Sequence, residues 1–124
     1  MARKQSPALT DAESQVMAVL WRSSQASVGE VVTAMNKKRA VTYSTVQTIL
    51  RILETKGYVS HEKVGRAFVF RPLVDARQAR RRALRHLLSR LFNNSPSLLV
   101  LNVLEDDTID DEERARLKKL IEQS

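Results

Sequence analysis

The run from Thr42 to Pro72 constrains this chain more than any other feature, because it places a helix directly before a hairpin. Apolar residues recur there at the i, i+3, i+4, i+7 spacing of one helix face, namely Val46, Ile49, Leu50 and Leu53. The opposite face is polar and carries Ser44, Gln47, Thr48, Arg51 and Thr55. Short hydrogen-bonding groups and one Arg suit the floor of a DNA groove. The run therefore predicts a DNA recognition helix.

The residues after this helix predict a two-stranded hairpin. Gly57 can end the helix in a left-handed cap. Tyr58 to Glu62 and Ala67 to Arg71 alternate as strands on either side of a four-residue turn. That turn begins at Lys63 and ends at Arg66, and its two cations suit a phosphate backbone. The hairpin is therefore predicted to be a DNA-contacting wing.

Two shorter helices are expected before the recognition helix. Thr10 to Glu13 and Ser27 to Glu30 both have the Ser/Thr-x-x-Glu form of a capping box, so each marks a helix start. Ser23 to Ala26 is a polar break between the two helices, and Met1 to Ala8 is expected to be a basic, flexible arm. Thr42 is the expected N-cap of the third helix. Three short helices and a hairpin predict a winged helix-turn-helix domain over residues 1–74.

The remaining residues, 75–124, predict a helical dimerisation domain. A basic amphipathic helix is expected from Asp75 to Phe92, a second helix from Pro96 and a third from about Asp110. About fifty residues with such apolar faces make too small an independent core, so we expect two copies to fold together as a homodimer. The expected dimerisation residues are Leu84, Leu87, Leu88, Leu91, Leu98, Leu101, Leu104, Leu117, Leu120 and Ile121. The predicted fold class is thus mostly α with a small β-wing.

Charge is divided between these two parts. Residues 1–92 hold 17 Lys and Arg against 6 Asp and Glu, a net charge of +11, whereas residues 93–124 hold 4 against 8, a net charge of −4. A basic body with an acidic end favours a polyanion as the partner of the first part only. A two-fold dimer would read a two-fold site, so the expected partner is double-stranded DNA carrying a palindromic operator.

Several classes of function are disfavoured. The chain has no cysteine, its two histidines, His61 and His86, lie far apart, and no cofactor or metal is expected. We find no nucleophile with a base, no paired carboxylates in an apolar setting and no phosphate-binding Gly loop, so an enzyme with catalytic residues is not expected. No apolar run approaches the roughly 20 residues of a membrane span, and no signal peptide is recognised. A cytoplasmic location is therefore expected.

The chain resembles the BlaI/MecI-type penicillinase-repressor family of bacterial winged-helix transcriptional regulators over nearly its whole length. The resemblance lies in LTDAESQVMAVLW, TYSTVQTILRILETKGYVSHEK, GRAFVFRPLV and SLLVLNVLEDDTIDDEERARLKKLIE. It implies a homodimer that represses transcription from an inverted repeat with TACA and TGTA cores. It also implies relief by proteolysis linked to a membrane-bound sensor metalloprotease, with the cleaved bond between Asn102 and Val103.

The predicted DNA-contacting residues are Thr42, Tyr43, Ser44, Thr45, Gln47, Thr48, Arg51, Lys63 and Arg66. The polar face of the third helix could instead be only solvated, and Tyr43 and Trp21 could be packing residues at helix edges. His61 and His86 are expected at the surface. Winged helices also act as protein-interaction modules, so a docking role in a larger assembly is the alternative function.

Overall fold

The computed structural model describes residues 8–124. It contains helices α1 (Asp11–Ser23), α2 (Val28–Asn36), α3 (Tyr43–Thr55), α4 (Ala76–Leu91), α5 (Pro96–Glu105) and α6 (Asp111–Gln123), and strands β1 (Ala26–Ser27), β2 (Val59–Val64) and β3 (Ala67–Pro72). All six predicted helices are present, which confirms the mostly α fold class. Of the expected basic arm, residues 1–7 lie outside the described part of the chain.

The chain divides into two compact units. The first ends at Ala83 and the second is Leu84–Ser124, so the division falls within α4. The predicted boundary at residues 74 and 75 lies just before the same helix. The first unit contains α1, α2, α3 and the sheet, and the second contains α5 and α6.

The sheet has three strands, whereas the sequence predicted a hairpin of two. Its order is β1-β3-β2, and all pairs are antiparallel. The additional strand uses Ala26, which lies opposite Phe70 and is buried. The expectation of a polar break from Ser23 to Ala26 was therefore wrong at both ends, because Ser23 is the last residue of α1 and Ala26 pairs with β3 in a segment too short to show a strand pattern.

Local capping chemistry determines where the helices of the first unit begin. At α1 the backbone N–H of Glu13 donates to Thr10 Oγ1 at 3.2 Å, and the N–H of Thr10 donates back to Glu13 Oε1 at 3.0 Å. Ser27 and Glu30 repeat this box at α2, and the bonds from Ser27 lower the pKa of the Glu30 carboxyl. Thr42 caps α3. All three predicted helix starts are thus confirmed.

The end of α3 connects the recognition helix to the wing. Gly57 has a φ of +84°, its N–H bonds to Glu54 O, and the N–H of Tyr58 bonds to Leu53 O at 2.9 Å. These paired bonds and the left-handed residue make a Schellman cap, as the sequence predicted. The wing turn is tighter than predicted, because the strands extend to Val64 and Ala67 and leave two residues. Gly65 begins that turn with a φ of +62°.

Every buried residue of the described chain lies in the first unit. The predicted apolar faces meet there: Val16, Met17 and Leu20 of α1 pack with Val31 of α2 and Val46, Leu50 and Leu53 of α3. The indole of Trp21 packs against this core and donates to Val74 O at 2.8 Å. Trp21 is therefore a packing residue. The core holds α3 by one side and leaves its other side accessible.

The second unit has helices but no buried side chain of its own. As predicted, α5 begins at Pro96 and α6 begins close to Asp110; their N-caps are Ser95 and Asp110. The guanidinium of Arg114 joins the two helices by donating to Leu104 O at 2.7 Å, to Ile109 O at 3.0 Å and to Asp106 O at 3.1 Å. The hydroxyl and N–H of Thr108 lower the pKa of Asp106 in the same connection. Hydrogen bonds, rather than an apolar core, hold the connection between α5 and α6 in place.

Candidate nucleic-acid interface

The accessible face of α3 is polar and hydroxyl-rich. Ser44, Thr45, Thr48 and Arg51 are exposed, and Gln47 is half-buried. Tyr43 is 53% exposed, which disfavours the alternative that it is a packing residue at a helix edge. It lies in the first turn of α3, directly after the N-cap, where nothing in the core reaches it. The structure thus places all six predicted α3 residues on or at the edge of one solvent-facing surface.

The hydroxyl groups of this face are already oriented by the helix. Thr48 Oγ1 donates to Ser44 O at 3.0 Å, and Thr42 Oγ1 donates to Thr45 Oγ1 at 2.9 Å while accepting from the Thr45 N–H. Because the Thr48 hydroxyl proton is donated within the helix, the oxygen of this exposed side chain can offer a ligand only acceptor lone pairs, beside a methyl group. An acceptor and a methyl suit the amino groups and the thymine methyl in a major groove.

Unpaired cations lie on α3 and on the segments before and after it. Arg51 on α3, Lys63 and Arg66 on the wing, and the exposed loop Lys37 to Arg39 form no ion pair with any described residue. Cations that are not paired within the protein can bind the phosphates on either side of a DNA groove. The predicted wing residues are therefore accessible and uncompensated.

Other cations of the first unit are occupied within the fold. Lys56 Nζ lies 2.7 Å from Glu13 Oε1, and both side chains are only 6% exposed. Arg71 pairs with Glu62 across the wing, and the guanidinium of Arg82 lies 5.0 Å from the centre of the Tyr58 ring. The basic character of the sequence therefore overstates the cations available to a partner.

Sequence reasoning missed a contact between the wing and α3. His61 Nδ1 on β2 lies 2.6 Å from Glu54 Oε2 on α3, and the imidazole packs against Phe68 and Phe70. His61 is exposed, as predicted, and His86 is half-buried rather than at the surface. The predicted four-residue turn would have put His61 opposite Phe68, whereas the observed two-residue turn puts it opposite Phe70. Its contact with Glu54 depends further on the angle between wing and helix.

The predicted dimerisation residues form an apolar surface on the second unit. Leu84, Leu87, Leu91, Leu98, Leu101, Leu120 and Ile121 are exposed, and Leu88, Leu104 and Leu117 are half-buried. Between α5 and α6 lies a groove of about 430 Å³, lined by residues that include Val100, Leu101 and Ile121. Exposed apolar side chains in this number are typical of association surfaces.

The predicted cleavage bond lies inside α5. Asn102 is exposed and its Nδ2 donates to Leu98 O at 2.8 Å, while Val103 is half-buried. Within residues 8–124, no helix is long and apolar enough to cross a membrane. The same residues contain no group of three or more His, Cys, Asp or Glu that could hold a metal ion.

Comparison with known proteins relates the whole chain to one family. A family model described as penicillinase repressor matches residues 9–123. The penicillinase repressor of Bacillus licheniformis is 34% identical over 120 residues, which cover 97% of this chain and 94% of that protein. The methicillin resistance regulatory protein MecI of Mammaliicoccus sciuri is 21% identical over 113 residues, which cover 91% of this chain and 92% of that protein.

Two of the solved structures that match cover about three fifths of the chain. The solution structure of the DNA-binding domain of the repressor BlaI matches with a TM-score of 0.53 and 38% identity, and covers 60% of this chain and 90% of its own. The solution structure of monomeric Bacillus licheniformis BlaI in complex with the blaP half-operator matches with a TM-score of 0.51 and 37% identity, and covers 61% of this chain and 93% of its own.

Fold, site and comparisons agree on the class of protein. Three helices with a three-stranded wing, and an accessible polar third helix, define a winged-helix transcriptional regulator of the DNA-binding type. The chain belongs to the penicillinase-repressor family. This family consists of repressors and not of enzymes, so the resemblance and the expectation of a non-enzyme are both confirmed.

Proposed function

We propose that this chain binds an inverted-repeat operator in double-stranded DNA as a homodimer, and so represses transcription in the cytoplasm. The observation that carries the proposal is the accessible polar face of α3, on which Arg51 has no ion-pair partner among the described residues. A recognition helix of this size fits a major groove, and a bidentate Arg to guanine is the commonest specific contact there.

We propose that residues of α3 provide sequence specificity and that cations of the wing provide affinity. We assign Thr48, Gln47 and Arg51 to base edges because they lie on the accessible side of α3, and Lys63 and Arg66 to phosphates because they are exposed on the wing. Phosphate contacts position a protein on a duplex without reading its sequence, whereas base contacts discriminate. The half-operator bound by monomeric Bacillus licheniformis BlaI supports the same assignment of the winged-helix unit.

Homodimerisation is proposed from the apolar surface of the second unit. Leu91 is 72% exposed and Leu120 is 58% exposed, and no side chain from Leu84 to Ser124 is buried in the single chain. Helices with this much exposed leucine need a partner surface of the same chemistry, and a second copy supplies it. Two linked DNA-binding units would then contact the two halves of a palindrome.

Relief of repression is proposed to follow cleavage between Asn102 and Val103 by a membrane-bound sensor metalloprotease. That peptide bond is helical, so α5 must open locally before a protease can bind it in extended form. Cleavage would separate α6 and the end of α5 from the rest of the apolar surface and so weaken the dimer. Mass spectrometry of the chain from induced cells would show a fragment ending at Asn102; an intact chain or another terminus would refute this part.

The proposal is tested by a competition titration with purified protein. One duplex carries the TACA/TGTA inverted repeat and a second carries the same bases scrambled, at two salt concentrations. We expect the palindrome to be preferred by at least about 10³, and both affinities to fall as salt rises. Equal competition would refute sequence-specific repression through this operator, and the interaction-module alternative would then become the leading hypothesis.

A further inference from the structure

A single polar contact ties the outer part of the wing to the recognition helix. His61 is the third residue of β2, and its Nδ1 lies 2.6 Å from Oε2 of Glu54 in the last turn of α3. Among the described residues, this is the one side-chain hydrogen bond that joins α3 to β2 or β3. The two side chains are 38% and 34% exposed, so the contact lies at the edge of the core and within reach of a ligand.

Aromatic packing determines where the imidazole sits on the wing. The ring of Phe68 meets it edge-on with centroids 5.5 Å apart, and the buried ring of Phe70 lies 5.1 Å away on the facing strand. A groove of about 160 Å³ separates the wing from α3 here, and both Arg51 and His61 line it. The ring is thus held by the sheet, while its nitrogen contacts the helix.

The wing beyond this point has no core of its own. Val59 is buried and Ser60 is half-buried, but every later residue of β2 is exposed. The cations Lys63 and Arg66 therefore lie on a hairpin whose distance from α3 is set near its base. The contact between His61 and Glu54 lies between that base and the tip.

The contact also accounts for an acidic residue on a DNA-facing helix. A carboxylate beside phosphates costs affinity through like-charge repulsion, and one beside Arg51 could neutralise the guanidinium. Glu54 instead pairs with His61, and Arg51 has no ion-pair partner among the residues described. The arrangement keeps Arg51 free for a base.

We infer that His61 and Glu54 are positioning residues, which hold the wing at the distance from α3 that lets Arg51 and the wing cations contact one operator half-site together. The inference rests on the proposed operator binding. It names a specificity determinant that touches no base itself and acts through the relative position of α3 and the wing.

The test is a double-mutant cycle of His61→Ala and Glu54→Ala, read as affinity for the palindromic and the scrambled duplex. Each single variant should lose about tenfold in operator affinity, with a loss of less than about threefold on the scrambled duplex. The double variant should lose little more than either single variant, because one contact is removed in all three. The salt dependence on the operator should also become shallower, by about one phosphate contact per wing.

Glu62→Ala is the matched control for charge. It removes a carboxylate from the same strand as His61, where Glu62 pairs with Arg71, so it changes net charge by the same amount as Glu54→Ala. Charge alone would make both variants bind DNA more tightly, whereas positioning predicts tighter binding by Glu62→Ala and weaker operator binding by Glu54→Ala. Glu54→Gln keeps an acceptor for His61 and should recover most of the operator affinity.

The outcomes separate this inference from the proposed function. If the wild-type chain does not prefer the palindrome, operator binding itself is refuted. If it does, but the effects of His61→Ala and Glu54→Ala simply add, or Glu54→Ala behaves like Glu62→Ala, the positioning role is overturned. Thermal unfolding midpoints close to that of the wild type would show that lost affinity is not lost folding, as expected for a contact this exposed.

Discussion

At the scale of single residues, we propose that Arg51 contacts a DNA base and that Arg66 contacts a phosphate. Arg51→Ala removes a guanidinium from the accessible face of α3, and operator affinity should fall by about ten- to a hundredfold, as for one lost bidentate base contact. Affinity for a scrambled duplex should change little. Competitive fluorescence titration of both duplexes measures the ratio directly.

Arg66→Ala provides the contrast, because Arg66 lies at the tip of the wing beyond β2. It should weaken operator and scrambled duplex about equally and reduce the salt slope by about one. Lys118→Ala on α6 removes the same charge from the other unit and should leave both affinities unchanged. Equal losses on the two duplexes for Arg51→Ala would contradict the assignment of Arg51 to a base.

Glu13 and Lys56 form a residue-scale contact of a different kind. Their buried ion pair joins the first turn of α1 to the C-cap of α3, and Glu13 also caps its own helix. Lys56→Ala leaves the Glu13 carboxylate buried without a cation, so the free energy of unfolding should fall by about 3–5 kcal/mol. Urea denaturation measures the loss.

The double variant Glu13→Gln with Lys56→Met controls for lost packing at the same site. Two uncharged side chains of similar volume should recover much of the stability, because no charge remains buried. A Lys56→Ala variant as stable as the wild type would mean that Glu13 reaches solvent or is neutralised when Lys56 is absent.

At the scale of elements, the two glycines Gly57 and Gly29 should respond to the same substitution with opposite signs. Gly57 has a φ of +84°, so Gly57→Ala should cost about 1–2 kcal/mol of stability even though no atom lies within 4 Å of the added carbon. Gly29 lies within α2, where the nearest atom is 4.0 Å away, and Gly29→Ala should stabilise by up to about 1 kcal/mol. Thermal unfolding of the two variants measures both signs.

The comparison also separates stability from function within the fold. Gly57 lies in the connection between α3 and the wing, so Gly57→Ala should weaken operator binding beyond its effect on folding. Gly29→Ala should leave operator binding unchanged. If both substitutions destabilise equally, helix propensity and backbone strain do not govern these positions as argued.

Elements were predictable where short-range chemistry defines them. The Thr10 and Ser27 boxes, the N-cap Thr42 and the cap at Gly57 each use residues within a few positions, and the structure has all four. Strand β1 was not predictable, because two residues carry no alternating pattern and Ala26 becomes a strand only by pairing with Phe70.

Contacts between distant elements were beyond a single sequence for the same reason. Nothing in the sequence around Lys56 indicates that it is buried against Glu13, 43 residues earlier. The candidate site was predictable as a set of accessible residues on α3 and the wing. Its internal geometry was not, since the pairing of His61 with Glu54 depends on how the wing meets the helix.

At the scale of the whole molecule, the two units differ in whether they have a buried core. The winged-helix unit contains every buried residue of the described chain and can fold around its own core. The second unit has none, and its exposed leucines are the surface through which we propose that two copies associate. We therefore expect the second unit to raise operator affinity only by linking two copies. Linking two DNA-binding units raises their effective concentration on a palindrome.

Leu101→Asp tests this dependence. Leu101 lines the groove between α5 and α6 and is 50% exposed in the single chain, so an aspartate there places an unpaired charge in the proposed interface. The variant should be monomeric by analytical ultracentrifugation and bind the palindrome about 10² to 10⁴ times more weakly. Its affinity for a single half-site should equal that of one wild-type DNA-binding unit, since the core of that unit is unchanged.

Gln123→Asp makes the same charge change at the end of α6 and should remain dimeric and bind normally. A Leu101→Asp variant that stays dimeric, or a monomer that binds the palindrome as tightly as the wild type, would disprove the link between dimer contacts and repression.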